Sequence, residues 1–446
     1  ILDFNHLKKM FIIISNLPLE FNEIIKLSGV SCIWNKIIKY YKASCKRILN
    51  KKSIDCLHKN EINLLWINRY LFSGHSCWLV HLIKTINYGK NQKEILKILN
   101  NPKKLNCCNL FCNEDCNIKL QTEDALYCIL NIVNQDKNNE ILKYLINIIS
   151  NCDYNELLCY LPNLISLLKY DINYVISNML FKLSKNNLEF TNKIFWEMTL
   201  QMEDPEYGEL YNSLRCKLSD NCQETNKLNL KETFYMVENL SEMSKYIDSF
   251  NLHIRSYFSE YPNGILCPIN PSIKLKNVKN NGIKIKGSSS KPISIQFETS
   301  DDDIYELLYK NDDIRKDLIV MNIIKLIDII LKKDAELDLN IITYEVLPIS
   351  SKKGFIEIVQ NAETLLSINK RKGFSILNFI LENNNSKSVD EIREVFTKSC
   401  AAYCILSYIL GIGDRHMENI MVKETGEIFH IDFGFILGSD PKPMAP

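Results

Sequence analysis

The sequence predicts a multidomain protein in which an all-α helical-repeat region precedes an α+β domain. From about Glu61 to about Phe250, apolar residues recur at three- and four-residue spacing with few Gly or Pro. Near Tyr261 the texture breaks, with three prolines and a glycine in "YPNGILCPINPSIKLK". Beyond it, alternating strand-like segments flank helical ones. A chain of 446 residues is too long for a single core, which agrees with two domains meeting at about residue 260.

Residues 1–54 form a leading segment or linker. Their apolar stretch "FIII" is far too short for a secretion signal or a spanning helix, and the start without Met suggests a fragment of a longer chain. Residues 55–250 carry the helices. "NEINLLWINRYLF", "EILKYLINIIS", "ELLCYLPNLISLLKY" and "NKIFWEMTLQM" each present one apolar stripe, as stacked hairpins require. Between them, "NPKKLNCCNLFCNEDCNIKL" reads as an insertion. Cys108, Cys112 and Cys116 would share a helical face, but zinc sites favour paired C-x2-C units, so a reduced, partly packed insertion is the expectation.

From about residue 260 the order is strand, tight loop and strand ("IKIKGSSSKPISIQFET"), a further strand ("IYELLYK") and a five-turn helix ("DDIRKDLIVMNIIKLIDIILKK"). Strands follow at "NIITYEVLPIS" and "KGFIEIV". A long helix then begins with Ser388 and Asp390 where a cap belongs and stops at Gly411. "ENIMV" and "EIFHIDFG" pair around Thr425-Gly426.

The 54 basic and 53 acidic side chains leave a charge of +1, so no overall field draws the chain to nucleic acid. Sixteen cysteines scattered through a chain with no secretory signal suggest a reducing, cytosolic compartment. Chemistry concentrates in "GIGDRHMENIMV". Asn419 follows Asp414 at the D-x-x-x-x-N spacing of phosphoryl-transfer loops, and Asp432 opens an Asp-Phe-Gly. A hairpin would bring Asn419 and Asp432 to one metal, and hard oxygen ligands of this kind suit Mg²⁺. A solvated, self-paired loop is the bland alternative, and the matched spacing argues against it.

The order Asp-Arg-His, reversed from the protein-kinase loop, resembles the D-R-H-x-x-N of the phosphatidylinositol 3-/4-kinase superfamily, and "FHIDFGFILG" is similar to its activation-segment start. "LHKNEINLLWINRYLF" and "LLCYLPNLISLLKY" look like its helical accessory domain, and "LCPINP" resembles the segment leading into the kinase domain. This resemblance implies a bilobal, protein-kinase-like lipid kinase domain over residues 260–446, incomplete at its C-terminus. It also implies that a C2 domain would precede residue 1.

The implied catalytic residues are His416 as general base, Asp414 supporting it, and Arg415 ordering the loop by ion pairing. Asn419 and Asp432 would hold Mg²⁺ or Mn²⁺. For ATP, the resemblance implies Lys310 on the phosphates, Asp317 ending the same motif, and Ser288, Ser289 and Ser290 in the covering loop. Tyr344, Val359 and Ile431 would line the adenine pocket. "YKNDDIRKD" is one residue shorter than the family's "FKxxDDLRQD" and has Lys316 where glutamine is usual.

"SCAAYCILSYILGIGDRHMENIMV" and "GEIFHIDFGFILGSDPKPMAP" are similar to the class III phosphatidylinositol 3-kinases of vacuolar sorting. The implied reaction phosphorylates the 3-hydroxyl of phosphatidylinositol in endosomal and vacuolar trafficking and autophagy. The implied partners are membrane phosphatidylinositol, a kinase-like regulatory subunit and a coiled-coil subunit. The implied location is cytoplasmic, with peripheral recruitment to endosomal, vacuolar or autophagic membranes. A phosphatidylinositol 4-kinase, a related protein kinase and an inactive helical scaffold are the alternatives.

Overall fold

The computed structural model describes residues 39, 43–52, 55–67, 69, 75–85, 91–100, 120–133, 140–246, 249–287, 291–371, 375–384 and 388–439. The chain divides into two compact units, residues 1–153 with 170–179, and residues 154–169 with 180–446.

The first unit is helical: α1 (Lys59–Ile67), α2 (Ser76–Lys84), α3 (Gln92–Asn100), α4 (Thr122–Ile132) and α5 (Glu140–Ser150). In α5 the buried residues Ile141, Leu142, Leu145, Ile146 and Ile149 form one stripe, and α5 packs on α4, which packs on α2. Asp124 closes a capping box with Gln121 and fixes the start of α4. The insertion with Cys108, Cys112 and Cys116 lies outside the described residues.

The second unit begins with α6 (Tyr154–Ser166); α7 (Val175–Ser184) divides its residues between the units. Next come α8 (Leu188–Gln201), α9 (Gly208–Asp220), α10 (Glu224–Met243) and α11 (Phe250–Ser259). A six-stranded antiparallel sheet follows, in the order β1-β2-β3-β4-β6-β5. Its strands are β1 (Ile265–Leu266), β2 (Lys274–Ile285), β3 (Ile293–Thr299), β4 (Ile304–Lys310), β5 (Val346–Ser350) and β6 (Lys353–Glu357). Helix α12 (Arg315–Asp334) leaves the end of β4. A three-stranded sheet of β7 (Ala362–Thr364), β8 (Ile420–Lys423) and β9 (Ile428–His430) is packed by α13 (Leu365–Lys370), α14 (Ile376–Asn383) and α15 (Val389–Ile409).

The compact units part near residue 154. Helices α8, α10 and α11 pack on strands β5, β1 and β2, which ties the later accessory helices to the sheet. At the centre of this packing, Lys193 of α8 lies 2.8 Å from Glu345, and Lys325 of α12 takes the other carboxylate oxygen. Burial alone would raise the Glu345 carboxyl, but the two lysines hold it down at about 2.

The predicted strand "NIITYEVLPIS" enters the sheet only at Val346, because Tyr344 is given to the core and Glu345 to the lysines. Helix α15 starts at Ser388 as expected, with Glu391 rather than Asp390 completing a capping box. It ends at Gly411 in a left-handed turn (φ +53°), with Gly411 N–H donating to Tyr408 O at 3.3 Å and Ile412 N–H to Ser407 O at 2.9 Å. A Cβ at Gly411 would lie 2.7 Å from Gly438 N, so only glycine lets the turn sit against the segment after Asp-Phe-Gly.

Candidate active site

The loop after α15 and the turn after β9 are joined by backbone bonds. Ile431 N–H donates to Asn419 O at 3.1 Å and Gly413 N–H to Phe435 O at 2.9 Å. Asp414 (φ +57°) and Asp432 (φ +60°) both occupy the left-handed region, which costs a non-glycine residue about 1–2 kcal/mol. Arg415 helps to hold that strain. Its Nε donates to Gly413 O at 2.7 Å, its Nη1 to Ile431 O at 2.9 Å and its Nη2 to Asp432 O, while its guanidinium sits 5.5 Å over the Phe433 ring. The expected ordering by ion pairing is thus carried out by hydrogen bonds to carbonyls, which suits a planar fork of donors.

The first turn of α12 grips the next two residues. Asp317 Oδ1 accepts the Phe433 N–H at 3.2 Å, and Lys316 Nζ donates to Gly434 O at 2.8 Å. Asp317, expected at the nucleotide, is only 2% exposed and acts on the site through the segment it holds. Sequence reasoning marks Lys316 only as a departure from glutamine, and its partner, a backbone carbonyl, leaves no signal in the sequence.

Lys310, at the end of β4, points its ammonium to Asp432 Oδ2 at 3.4 Å, with the carboxylate half exposed. Asn419 is buried, and its Nδ2 donates to Asp414 O at 3.0 Å. Its Oδ1 is thereby the atom left to bind a cation. Asp432 and Asn419 thus supply a carboxylate and an amide oxygen, which fits a hard divalent ion that keeps waters and shares phosphate oxygens. His416 Nε2 lies 3.8 Å from Asp414 Oδ2, and its Nδ1 accepts the Glu418 N–H at 3.2 Å.

Tyr344 is buried in a cluster against which Val359 and Ile431 pack. Val359 lies between β6 and β7, where the chain passes from one sheet to the other. Ser288, Ser289 and Ser290 lie outside the described residues, and beside them Lys286 N–H bonds Pro292 O at 2.9 Å.

Replacing Arg415 with lysine should cost about 2–4 kcal/mol in stability, since charged donors to carbonyls contribute about 1.5–3 kcal/mol each and an ammonium cannot fork. Urea unfolding checks this, and a loss under about 0.5 kcal/mol, the level of an ordinary surface change, would show that the loop holds itself.

His430 provides a pH test. It is buried beside Tyr403 (ring centroids 4.9 Å apart) and Ser407, and burial, with Arg415 adding to it, pushes the imidazole down from 6.5 to about 4. Between those values the unfolded chain binds more protons, so this contribution to stability is complete above pH 6.5 and is lost as pH falls towards about 4. Asp317 titrates with the opposite sign: burial raises it from 3.8 to about 6, despite Lys310 and the Phe433 N–H, so it favours the folded state as pH falls. The two nearly offset one another in the parent. His430→Phe should therefore gain stability relative to the parent by about 3 kcal/mol as pH falls through this window, at about 1.4 kcal/mol for each pH unit that separates the folded and unfolded values. Parallel unfolding curves at each pH would overturn this.

Among the described residues no helix is long and apolar enough to cross a membrane. Residues 304–446 match the family "Phosphatidylinositol 3- and 4-kinase", and residues 36–231 match the "Phosphoinositide 3-kinase family, accessory domain (PIK domain)". The chain is 29% identical over 289 residues to phosphatidylinositol 3-kinase VPS34 of Candida glabrata, covering 61% of this chain and 32% of that one. It is 29% identical over 282 residues to phosphatidylinositol 3-kinase pik3 of Schizosaccharomyces pombe, covering 57% and 35%. To VPS34 of Saccharomyces cerevisiae it is 38% identical over 187 residues, covering 41% and 21%. The chain thus spans about a third or less of the length of these curated relatives. Residues 36–231 and 304–446 are the accessory and kinase domains of the phosphatidylinositol 3- and 4-kinase family.

Proposed function

We propose that this chain transfers the γ-phosphoryl group of ATP to the 3-hydroxyl of phosphatidylinositol. The observation that carries the reading is that Lys310 of β4 reaches Asp432 while the loop holding Asn419 and the Asp414–His416 pair is bonded to the residue before Asp432. Lys310 neutralises phosphate charge, Asn419 and Asp432 hold the divalent ion, and His416 takes the proton of the attacking hydroxyl with Asp414 beside it. Mg²⁺ or Mn²⁺, when bound, would bridge phosphate oxygens and offset their charge. Val359, Ile431 and Tyr344 bound the adenine side, and Ser288, Ser289 and Ser290 serve the phosphates.

The relatives' names support a 3-kinase, and the sequence resemblance to class III enzymes adds a place in an assembly with a kinase-like regulatory subunit and a coiled-coil subunit. The chain would then work on endosomal, vacuolar or autophagic membranes, recruited from the cytoplasm. Incubation with phosphatidylinositol vesicles, labelled ATP and Mn²⁺ should place the label on ring position 3. Label at position 4, or on protein alone, would replace this reading with another branch of the family.

A further inference from the structure

A cavity of about 320 Å³ lies within the second unit, walled by α6, α8, α12 and β5, and none of Lys310, Asn419 or Asp432 lines it. Its size is that of small-molecule pockets, and Leu161, Pro162, Met321 and Val346 give it apolar walls.

Its charges are unequally satisfied. Lys193 and Lys325 both spend their ammonium groups on Glu345. Asn192 is committed too, its Nδ2 donating to Pro268 O at 2.8 Å and its Oδ1 accepting from Trp196 at 3.1 Å. Glu197, in contrast, makes no hydrogen bond or ion pair among the described residues. Burial lifts its carboxyl to about 7, with Lys193 the one neighbour drawing it down. Across the cavity wall, Asp328 gives Oδ2 to Lys332 at 2.9 Å, while its Oδ1 is buried with no hydrogen-bond partner. The Glu197 carboxylate and Asp328 Oδ1 therefore line a cavity of mixed polar and apolar walls with no donor assigned to them, and leaving the buried Asp328 oxygen unpaired is costly.

We infer that this cavity binds an organic cation, a primary amine whose ammonium pairs with Glu197 while its hydrocarbon body lies on the apolar walls. An anionic ligand would meet carboxylates with both lysines already engaged. A neutral ligand would leave Glu197 without a charged partner. Tyr344, placed above on the adenine side, also lines this cavity, but Lys310, Asn419, Asp432, Asp414 and His416 do not, and the amine's partner Glu197 has no part in the catalytic reading.

The test is calorimetry on the whole chain at about pH 8, where Glu197 is ionised, with 2-phenylethylamine as probe and 2-phenylethanol as its neutral counterpart of the same shape. The amine should bind at least about ten-fold more tightly than the alcohol. Glu197→Gln should bring the amine to within about two-fold of the alcohol, and Asp328→Asn should weaken the amine by a smaller factor. The alcohol's own affinity should stay unchanged in a variant whose melting curve matches the parent. Equal affinity for amine and alcohol in the parent overturns the inference without any variant. So does undetectable amine binding, or an unchanged amine affinity in Glu197→Gln.

Discussion

Replacing Asp432 with asparagine should abolish phosphate transfer, by about a thousand-fold or more, while leaving the fold intact. The expected size follows from removing a charge that positions a divalent ion against the transferring phosphoryl group, the step at which such enzymes gain most. Asparagine is the informative substitute. Asp432 has φ +60°, and asparagine tolerates the left-handed region, so the backbone held by Arg415, Asp317 and Lys316 should be retained. The lost Lys310 pair is half exposed on its acidic side and contributes at most about 1 kcal/mol. A melting curve within a few degrees of the parent, together with lost lipid labelling, is the expected pair of results. Activity within ten-fold of the parent would remove Asp432 from the proposed ion site; collapse of the melting transition would make its role architectural. Asp432→Ala should lose activity equally and melt somewhat lower, because alanine pays the cost of the left-handed backbone.

How much of this could be read in the sequence depended on distance along the chain. Asp414, Arg415, His416, Asn419 and Asp432 lie within one hairpin-sized stretch, so spacing alone brought them together. Ser388 and Gly411 bounded α15 for equally local reasons, a cap and a left-handed stop. Lys310 stands 122 residues from Asp432, and only resemblance to a family motif joined them. The roles of Lys316 and Asp317 were hidden because their partners are backbone groups of Phe433 and Gly434, which leave no mark in side-chain patterns. The same holds for Arg415, whose charge suggested a carboxylate partner although the loop's turn presented carbonyls. Tertiary charge pairing also escaped: Lys193 and Glu345 are 152 residues apart and lie in segments that a sequence reading places in different domains. The domain-scale order was legible because periodicity changes from helical to alternating near residue 260. Where the compact units part was not, because helix-on-sheet packing is decided by surfaces and not by texture.

His416→Ala should lower the rate of lipid phosphorylation by about a hundred- to ten-thousand-fold, the range supplied by a positioned proton acceptor, while ATP binds within two-fold of the parent affinity. The separation is expected because half of the His416 side chain is exposed, and it makes no contact with Lys310 or Asp432 among the described hydrogen bonds. Its geometry adds a requirement. Nδ1 accepts the Glu418 N–H, so in the neutral ring the proton resides on Nε2, facing Asp414 at 3.8 Å. To take a hydroxyl proton, the ring must either release the Glu418 N–H from Nδ1 or turn over so that a bare nitrogen faces the substrate. Asp414 then becomes the partner that favours the imidazolium once it forms. Asp414→Asn should accordingly lower the rate by a smaller factor than His416→Ala, and the double variant should be no slower than His416→Ala alone, since the two act as one unit. Nucleotide affinity measured by titration and lipid phosphorylation measured by initial rate give the two readouts. Parallel loss of both in His416→Ala would make the histidine a structural member of the loop, and additive losses in the double variant would separate it from Asp414.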